Sequence, residues 1–336
     1  MRRIANPACA LLATATLLLL LPGCGGGESG GAGQPGATIT LKAADVHPTN
    51  YPTVQGLQFM ADRVKEKSGG RIQIKIYASG VLGDEKSAIE QTQQGAIDIN
   101  RVSCSPLAEF CPKIAVYSLP YLFRDDEHTW QVLGGEIGQE LLDELRAAKL
   151  VGLCYYDAGA RSFYNREHPI KTVDDLNGLK IRVQPNKVMI DVVQAMGASP
   201  TPMSFSEVYS ALQTGVIDGA ENNPPSYYET RHFEVAGYYT LDEHTRVPEV
   251  IAVSLRRWDS LSEEDRGILR EAAVASVDFQ REKWAEYVEE ALAKVAEGGA
   301  EVAQPEDMAG FREAAKAVYD QYPNLSDLIK RIQAAK

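Results

Sequence analysis

The spacing of apolar residues along this chain predicts a mixed α/β protein. Over residues 71–77 every second residue is apolar, which is typical of a strand with one buried face. Over residues 51–67 apolar residues recur near helical spacing, and the Gly69-Gly70 pair that follows is a common helix stop. Residues 262–296 predict one long helix, because Ser262 and the acidic residues after it suit a helix N-terminus.

A short sequence pattern occurs twice and predicts two related α/β lobes. Gln94-Gly-Ala-Ile-Asp98 and Thr214-Gly-Val-Ile-Asp218 each follow a predicted helix and lead into polar residues. Gly70-Arg-Ile-Gln-Ile resembles Gly178-Leu-Lys-Ile-Arg-Val in the same way. Two matches in the same order, roughly 110 to 120 residues apart, favour two lobes in a chain of 336 residues. Ligands of such sheets bind at the carboxyl ends of the strands, which predicts a site between the lobes.

The first 37 residues have the composition of a targeting segment followed by a linker. Arg2 and Arg3 precede the apolar run 8–21, which is shorter than a membrane span. The sequence LLPGC, ending at Cys24, resembles a bacterial lipobox, in which Cys24 would be lipidated after cleavage before it. The alternative is an ordinary signal peptide with an incidental cysteine. The glycine-rich residues 25–37 predict a flexible tether.

Charge and cysteine content narrow the classes of partner. A formal net charge of −12 argues against nucleic-acid binding through a diffuse basic field, so an anionic ligand would need a locally positive site. The cysteines match no zinc or thioredoxin-type spacing, and we expect no metal or cofactor. Outside the cytoplasm, a Cys104–Cys111 disulfide and three buried free thiols, with Cys154 as the third, are equally compatible with the sequence.

The most specific stretch of the chain is 197–225. It predicts a helix, a glycine stop, a short strand and the polar turn Glu221-Asn-Asn-Pro-Pro225, and Arg182 lies upstream in the strand pattern 179–184. Together these segments resemble the extracytoplasmic solute receptors of tripartite ATP-independent periplasmic (TRAP) transporters, the DctP-type binding proteins. The resemblance covers roughly residues 38–330. It implies an α/β, two-lobe periplasmic-binding-protein fold with an interlobe cleft and a long C-terminal helix bracing both lobes.

The resemblance also implies a function and a domain plan. A receptor of this family captures a small organic acid by lobe closure and delivers it to an ion-driven membrane permease. We expect a monomer held at the membrane by a lipid anchor. The expected plan is a signal peptide at 1–23, lipidated Cys24 and linker at 24–37, a first lobe beginning at 38–158, a second lobe at 159–250, and a shared C-terminal region with the bracing helix at 251–336.

Three polar residues are expected to hold a carboxylate. The resemblance places the carboxylate-binding arginine at Arg182, whose planar guanidinium can form two parallel hydrogen bonds; spacing alone would favour a solvated strand arginine. It implies a ligand-facing role for Arg161, with an interlobe salt bridge as the alternative. Asn222 matches the asparagine that follows a glutamate in the family's turn, and Asn223 extends that turn; a simple structural turn is the alternative.

The remaining candidates point to a hydroxylated ligand. Phe205 would form an apolar wall or belong to the core, and His47 would bind a hydroxyl or be structural. Glu85, Asn100 and, more weakly, Gln184 offer further polar groups, and acidic Glu85 suits a polyol better than a second anion. Residues 221–232 resemble family members that take sugar acids. We therefore expect a hexuronate, D-glucuronate or D-galacturonate, with a C4-dicarboxylate or 2-oxo acid as runner-up.

Two other classes of protein share parts of this pattern. A two-lobe extracytoplasmic enzyme acting on a sugar acid would need paired carboxylates, which composition alone permits, but the sequence has no H-E-x-x-H, G-x-S-x-G, P-loop or C-x-x-C motif. A binding protein of an ATP-driven importer would have the same two lobes. The stretch 197–225 favours the TRAP receptor over both, and we expect no enzymatic activity.

Overall fold

The structure, a computed structural model, describes residues 38–336, so the signal peptide, the lipidated Cys24 and the linker predicted at 1–37 lie outside the described residues. The strands of the described part are β1 Ile39–Ala44, β2 Ile72–Tyr77, β3 Ile99–Ser103, β4 Leu150–Tyr156, β5 Arg161–Asn165, β6 Lys180–Val183, β7 Ser199–Pro202, β8 Gly219–Asn222, β9 Tyr238–Thr245, β10 Glu249–Ser254 and β11 Glu301–Ala303. The α-helices are α1 Pro52–Lys67, α2 Glu85–Gln94, α3 Cys104–Leu107, α4 Asp126–Leu133, α5 Glu136–Glu144, α6 Lys187–Ala195, α7 Val208–Thr214, α8 Pro224–Glu229, α9 Leu255–Ser260, α10 Glu263–Glu297, α11 Met308–Tyr319 and α12 Ser326–Ala334.

The strands form two sheets, one in each lobe. The first sheet has the order β2-β1-β3-β10-β4, and the second has the order β11-β9-β5-β8-β6-β7. In the first, β2, β1 and β3 are parallel and β10 is antiparallel to β3. In the second, β7, β6 and β8 are parallel and β5 is antiparallel to β8. The order β2-β1-β3-β10 therefore recurs as β7-β6-β8-β5, and the predicted two-lobe α/β architecture is confirmed.

The repeated Gly-x-Ile-Asp pattern has the same structural role in both lobes. Asp98, just before β3, accepts a hydrogen bond at 2.8 Å from the backbone N–H of Lys42 in β1. Asp218, just before β8, accepts one at 2.8 Å from the backbone N–H of Lys180 in β6. Each aspartate thus ties the strand it precedes to the neighbouring parallel strand, which explains why the pattern occurs twice.

The second sequence match equates two strands that do not occupy equivalent positions in their sheets, and is wrong in that respect. Residues 70–74 lead into β2, which lies at the edge of the first sheet, whereas residues 178–183 lead into β6, which lies between β7 and β8. The strand of the first sheet that is equivalent in position to β6 is β1. A glycine followed by alternating apolar residues suits any strand of such a sheet, so the pattern alone does not distinguish one strand from another.

The long helix α10 braces both lobes, as the sequence predicted. The Ser262 side chain caps it by accepting a hydrogen bond from the N–H of Asp265 at 3.1 Å. Leu269, near its beginning, packs in the core of the first lobe. Trp284 packs against Tyr51 of the first lobe and Ala158 of the crossing between β4 and β5, and Val295, near the helix end, packs in the core of the second lobe. No helix within residues 38–336 has the length and apolar character needed to cross a membrane.

One of the segments that cross between the lobes is held by this helix. The Gln280 side-chain amide accepts a hydrogen bond from the N–H of Asp157 at 2.7 Å and donates one to its carbonyl at 2.9 Å. Gly159, with φ of +58°, packs so closely on Trp284 that a Cβ there would lie 2.9 Å from the indole nitrogen. The crossing from β4 to β5 is therefore fixed to α10 at its backbone.

The cysteines of the described part are free thiols. Cys104, Cys111 and Cys154 are all buried and unpaired. Of the two alternatives left open by the sequence, the structure has the buried free thiols and not the Cys104–Cys111 disulfide.

Candidate functional site

Two adjoining cavities form one cleft between the lobes. The outer cavity has a volume of about 360 Å³ and the inner one about 20 Å³. Val46 and Glu85 of the first lobe and Arg182 and Phe205 of the second line both of them. Because residues of both lobes form these walls, any ligand held there contacts both lobes.

Arg182 is a buried cation on the second-lobe wall. It lies in β6 and is 2% exposed. Its Nε and Nη2 atoms both donate to the Met203 carbonyl oxygen, at 3.0 and 2.7 Å, and within residues 38–336 no carboxylate forms an ion pair with it. Burial lowers the pKa of Arg182 against a smaller opposing effect of Glu221. A buried guanidinium facing a cavity without a carboxylate partner is suited to an anionic ligand.

Arg161 lines the inner cavity, but its charge is balanced within its own lobe. Its Nε forms a close ion pair with Glu221, and its Nη2 donates to the second Glu221 carboxylate oxygen at 2.9 Å. Its Nη1 donates to the Asn222 side-chain oxygen at 2.9 Å, and the N–H of Asn223 donates to that same oxygen at 2.9 Å. The Asn222 oxygen is thus occupied, which leaves its NH₂ group as the donor available to the cleft.

A buried charge network supports Arg161 from behind. The His244 Nδ1 lies 2.9 Å from Asp242, and its Nε2 lies 3.7 Å from Glu221. Burial alone would raise the pKa of Glu221, but Arg161 and His244 hold it at about 2. Burial alone would lower the pKa of His244, but Asp242 and Glu221 raise it to about 9. Two cations and two anions therefore alternate, and Arg161 is fixed in place.

Arg101 is the centre of a second charged cluster, on the first-lobe wall. Its Nη1 donates to Glu249 at 2.6 Å and to Glu85 at 3.2 Å. Its Nη2 donates to Asp45 at 2.5 Å and lies 2.9 Å from the Nδ1 of His47. All of these side chains except Asp45 line the inner cavity. We call these five residues the Arg101 cluster.

His47 and Phe205 face each other across the cleft. The His47 ring stacks on Tyr51 with centroids 3.9 Å apart, and the Phe205 ring meets it edge-on at 5.4 Å. Burial and Arg101 lower the pKa of His47, so the imidazole is neutral at pH 7. Its Nδ1 is engaged in the Arg101 cluster. Either tautomer leaves Nε2 for one hydrogen bond, which a hydroxyl can complete as donor or acceptor.

The other predicted residues differ in where they lie. Gln184 lines the inner cavity, and its side-chain oxygen is buried without a hydrogen-bond partner in the described residues. Asn223 also lines it but caps α8, with its oxygen accepting from the N–H of Ser226 at 2.8 Å. Asn100 is buried in β3 and lines neither cavity. Its neighbour Arg101 reaches the cleft instead, because successive strand residues point to opposite faces.

Sequence reasoning missed the members of the Arg101 cluster other than His47 and Glu85. The twofold pattern offered one signal: Arg101 follows Asp98 by three residues just as Glu221 follows Asp218, and each is the centre of a buried charge cluster. Glu249 had no such signal, because it lies 148 residues from Arg101 in the chain.

Direct hydrogen bonds join the two lobes beside the cleft. The Tyr51 hydroxyl lies 2.8 Å from the Ser226 hydroxyl, and Asn50 donates to Glu229 at 3.1 Å. Tyr51 and Asn50 precede α1 in the first lobe, while Ser226 and Glu229 lie on α8 in the second. These bonds tie the first lobe to the second at the side of the cleft. No group of His, Cys, Asp or Glu side chains suited to a metal ion occurs within residues 38–336.

Comparison with known proteins gives consistent matches over most of the chain. The family model of bacterial extracellular solute-binding proteins, family 7 (DctP), matches residues 43–324. A solute-binding protein of Chromohalobacter salexigens is 40% identical over 296 residues, which are 87% of this chain and 88% of the relative.

Two solved structures are similar in both sequence and fold. A TRAP periplasmic solute-binding protein of a Bradyrhizobium species, in complex with α/β-D-galacturonate, is 44% identical with a TM-score of 0.86, covering 88% of this chain and 99% of its own. A TRAP periplasmic solute-binding protein of Chromohalobacter salexigens, with bound D-glucuronate, is 40% identical with a TM-score of 0.86, covering 88% and 100%.

Proposed function

The chain belongs to the DctP family of bacterial extracellular solute-binding proteins, and we propose that it captures a hexuronate, D-glucuronate or D-galacturonate, for a TRAP permease. As a member of this family it works outside the cytoplasm. The sugar acid is bound in the interlobe cleft and released, chemically unchanged, to the membrane subunits. Lipidation of Cys24 would keep the receptor at the membrane, and the receptor would act as a monomer.

The observation that carries this proposal is the uncompensated guanidinium of Arg182. Nε and Nη2 are directed to the Met203 carbonyl, and the guanidinium lines both cavities. A ligand carboxylate would supply the missing negative charge, and the NH₂ group of Asn222 could donate to the same ligand. Arg161 would contribute a hydrogen bond and a weaker attraction for the ligand carboxylate, because Glu221 already neutralises most of its charge.

The first-lobe wall favours hydroxyl groups on the rest of the ligand. One oxygen of Glu85 accepts from Arg101 and from the N–H of Ser103. The other has no hydrogen-bond partner within residues 38–336 and can only accept a hydrogen bond while the carboxylate is ionised. His47 offers Nε2, and Phe205 presents an apolar face suited to a sugar ring. One carboxylate and several hydroxyls describe a hexuronate better than a C4-dicarboxylate.

The test is calorimetric titration of the purified protein with D-glucuronate, D-galacturonate, a C4-dicarboxylate and a 2-oxo acid. We expect only the hexuronates to bind tightly. Arg182→Lys keeps the charge but loses the planar fork, and should weaken hexuronate binding at least tenfold, about 1.4 kcal/mol. Arg63→Lys, an exchange at an exposed residue of α1, is the matched control and should leave affinity unchanged.

Two outcomes would contradict the proposal. Tight binding of the dicarboxylate or oxo acid in place of the hexuronates would overturn the ligand, and an unchanged affinity in Arg182→Lys would remove that residue from the site. Recovered ligand should be chemically identical to the ligand added. Conversion of the sugar acid would favour the enzyme alternative.

A further inference from the structure

The terminal nitrogens of the Arg101 guanidinium are directed at the other members of the Arg101 cluster. Its Nη1 has two hydrogens and contacts Glu249 and Glu85, and its Nη2 has two and contacts Asp45 and His47. Its Nε is buried without a partner in the described residues. Although Arg101 lines the inner cavity, its charge is already compensated by three carboxylates, whereas Arg182 has no carboxylate partner in the described residues.

The Arg101 cluster also carries an excess of negative charge. Three carboxylates surround one guanidinium, and the fifth member, His47, is neutral at pH 7. Burial, with the neighbouring charges of Glu85 and Asp45, raises the pKa of Glu249 to about 7 even though Arg101 opposes the shift. The first-lobe wall therefore already holds more negative charge than its single guanidinium compensates.

We propose that the Arg101 cluster excludes sugar acids with a second carboxylate, so that the receptor takes hexuronates and rejects hexarates. This inference rests on the proposed function, in which Arg182 holds the first carboxylate. A second carboxylate at the far end of the ligand would meet the oxygens of Glu85 and Glu249, which repel it and cannot donate to it while ionised. A hydroxyl in the same place donates to those oxygens. Glu85 and Glu249 are thus specificity-determining residues.

Shape must be separated from charge in the test. Galactarate is open-chain and has two carboxylates, whereas D-galacturonate closes into a ring and has one. D-Galactonate is open-chain with one carboxylate, so it differs from galactarate only in bearing a terminal CH₂OH where galactarate has a second carboxylate. We would therefore titrate the purified protein with all three acids at pH 8.

The variants are Glu85→Gln and Glu249→Gln, with Glu136→Gln as control. Each removes one negative charge with almost no change of shape, and Glu136 is an exposed residue of α5 outside the cleft. We expect the wild-type protein to bind galactarate at least 100-fold more weakly than D-galacturonate. Glu85→Gln or Glu249→Gln should increase galactarate affinity at least tenfold relative to Glu136→Gln, without a matching gain for D-galactonate.

The outcomes distinguish the two proposals. Wild-type protein that binds neither D-galacturonate nor D-glucuronate contradicts the proposed function. Protein that binds either hexuronate, but whose Glu85→Gln and Glu249→Gln variants both gain no galactarate affinity, contradicts the exclusion. An equal gain for D-galactonate and galactarate would mean that the substitutions loosen the steric fit of the site. That result would also overturn the exclusion by charge. If Glu249→Gln does not fold because Arg101 loses a partner, Glu85→Gln alone decides.

Discussion

Replacing Glu221 by glutamine should lower the free energy of unfolding by about 3 kcal/mol at pH 7. Glu221 is fully buried and pairs with Arg161 through both carboxylate oxygens. Its pKa falls from an ordinary 4.5 to about 2 in the folded protein. A difference of that size corresponds to about 3 kcal/mol at neutral pH. Breaking a buried ion pair by removing one partner costs about 3–5 kcal/mol, in agreement.

The same linkage fixes the sign of the pH dependence. Because the folded pKa of Glu221 is depressed, its contribution is complete above the unfolded pKa of 4.5 and is lost as the pH falls towards 2. At pH 3.5 about 2 kcal/mol of it should remain. Glu221→Gln has no such titration. The difference in stability between wild type and variant should therefore shrink by about 1 kcal/mol from pH 7 to pH 3.5.

Urea unfolding followed by tryptophan fluorescence measures this difference. The dependence of unfolding free energy on urea should be equal in both proteins, so that the midpoint shift reports stability. Glu313→Gln removes an exposed partner of Lys316 and should cost under about 0.5 kcal/mol at either pH. A loss below about 1 kcal/mol for Glu221→Gln at pH 7, or an equal loss at both pH values, would refute the assignment of Glu221 as the counter-charge of Arg161.

Two further predictions concern the lobe contact and the thiols. Tyr51→Phe removes the hydroxyl that lies 2.8 Å from the Ser226 hydroxyl of the other lobe. It should weaken hexuronate binding about three- to tenfold, chiefly through faster ligand dissociation in stopped-flow measurements. An unchanged dissociation rate would contradict a role of this contact in closure. Burial raises the pKa values of the Cys104, Cys111 and Cys154 thiols, so folded protein lacking residues 1–37 should not react with a disulfide reagent. In urea the same protein should react through three thiols per chain. Reaction of one thiol per chain would indicate a disulfide.

Local signals in the sequence predicted local features of the fold well. The repeated pattern places a glycine directly after each predicted helix, and these glycines, Gly95 and Gly215, are both left-handed helix C-caps, with φ of 81° and 72°. The Ser262 cap and the length of α10 also follow from neighbouring residues. Each of these features depends on contacts within a few residues, which are present in the sequence pattern itself.

The charged clusters depend on contacts that no local pattern contains. Arg161, Arg182 and Arg101 are all buried strand arginines, but Arg161 meets Glu221 and Arg101 meets Glu249 only through the fold. All five residues of β3 are buried, so no alternation marked Arg101 rather than Asn100 as the residue that reaches the cleft. Whether a buried arginine is available to a ligand therefore depends on which carboxylates the sheets bring beside it.

On the proposed function, this difference between the arginines links binding to lobe closure. The second-lobe wall offers mainly donors, the Arg182 guanidinium and the Asn222 amide, while the first-lobe wall offers the acceptor oxygens of Glu85 and the imidazole of His47. A molecule with a carboxylate and hydroxyls can satisfy one wall in an open form and both walls only in a closed form. The ligand therefore shifts the equilibrium towards the closed form by the free energy of its contacts with the second wall. Because Gln280 hydrogen-bonds the backbone of Asp157, the crossing from β4 to β5 stays attached to α10 in either form.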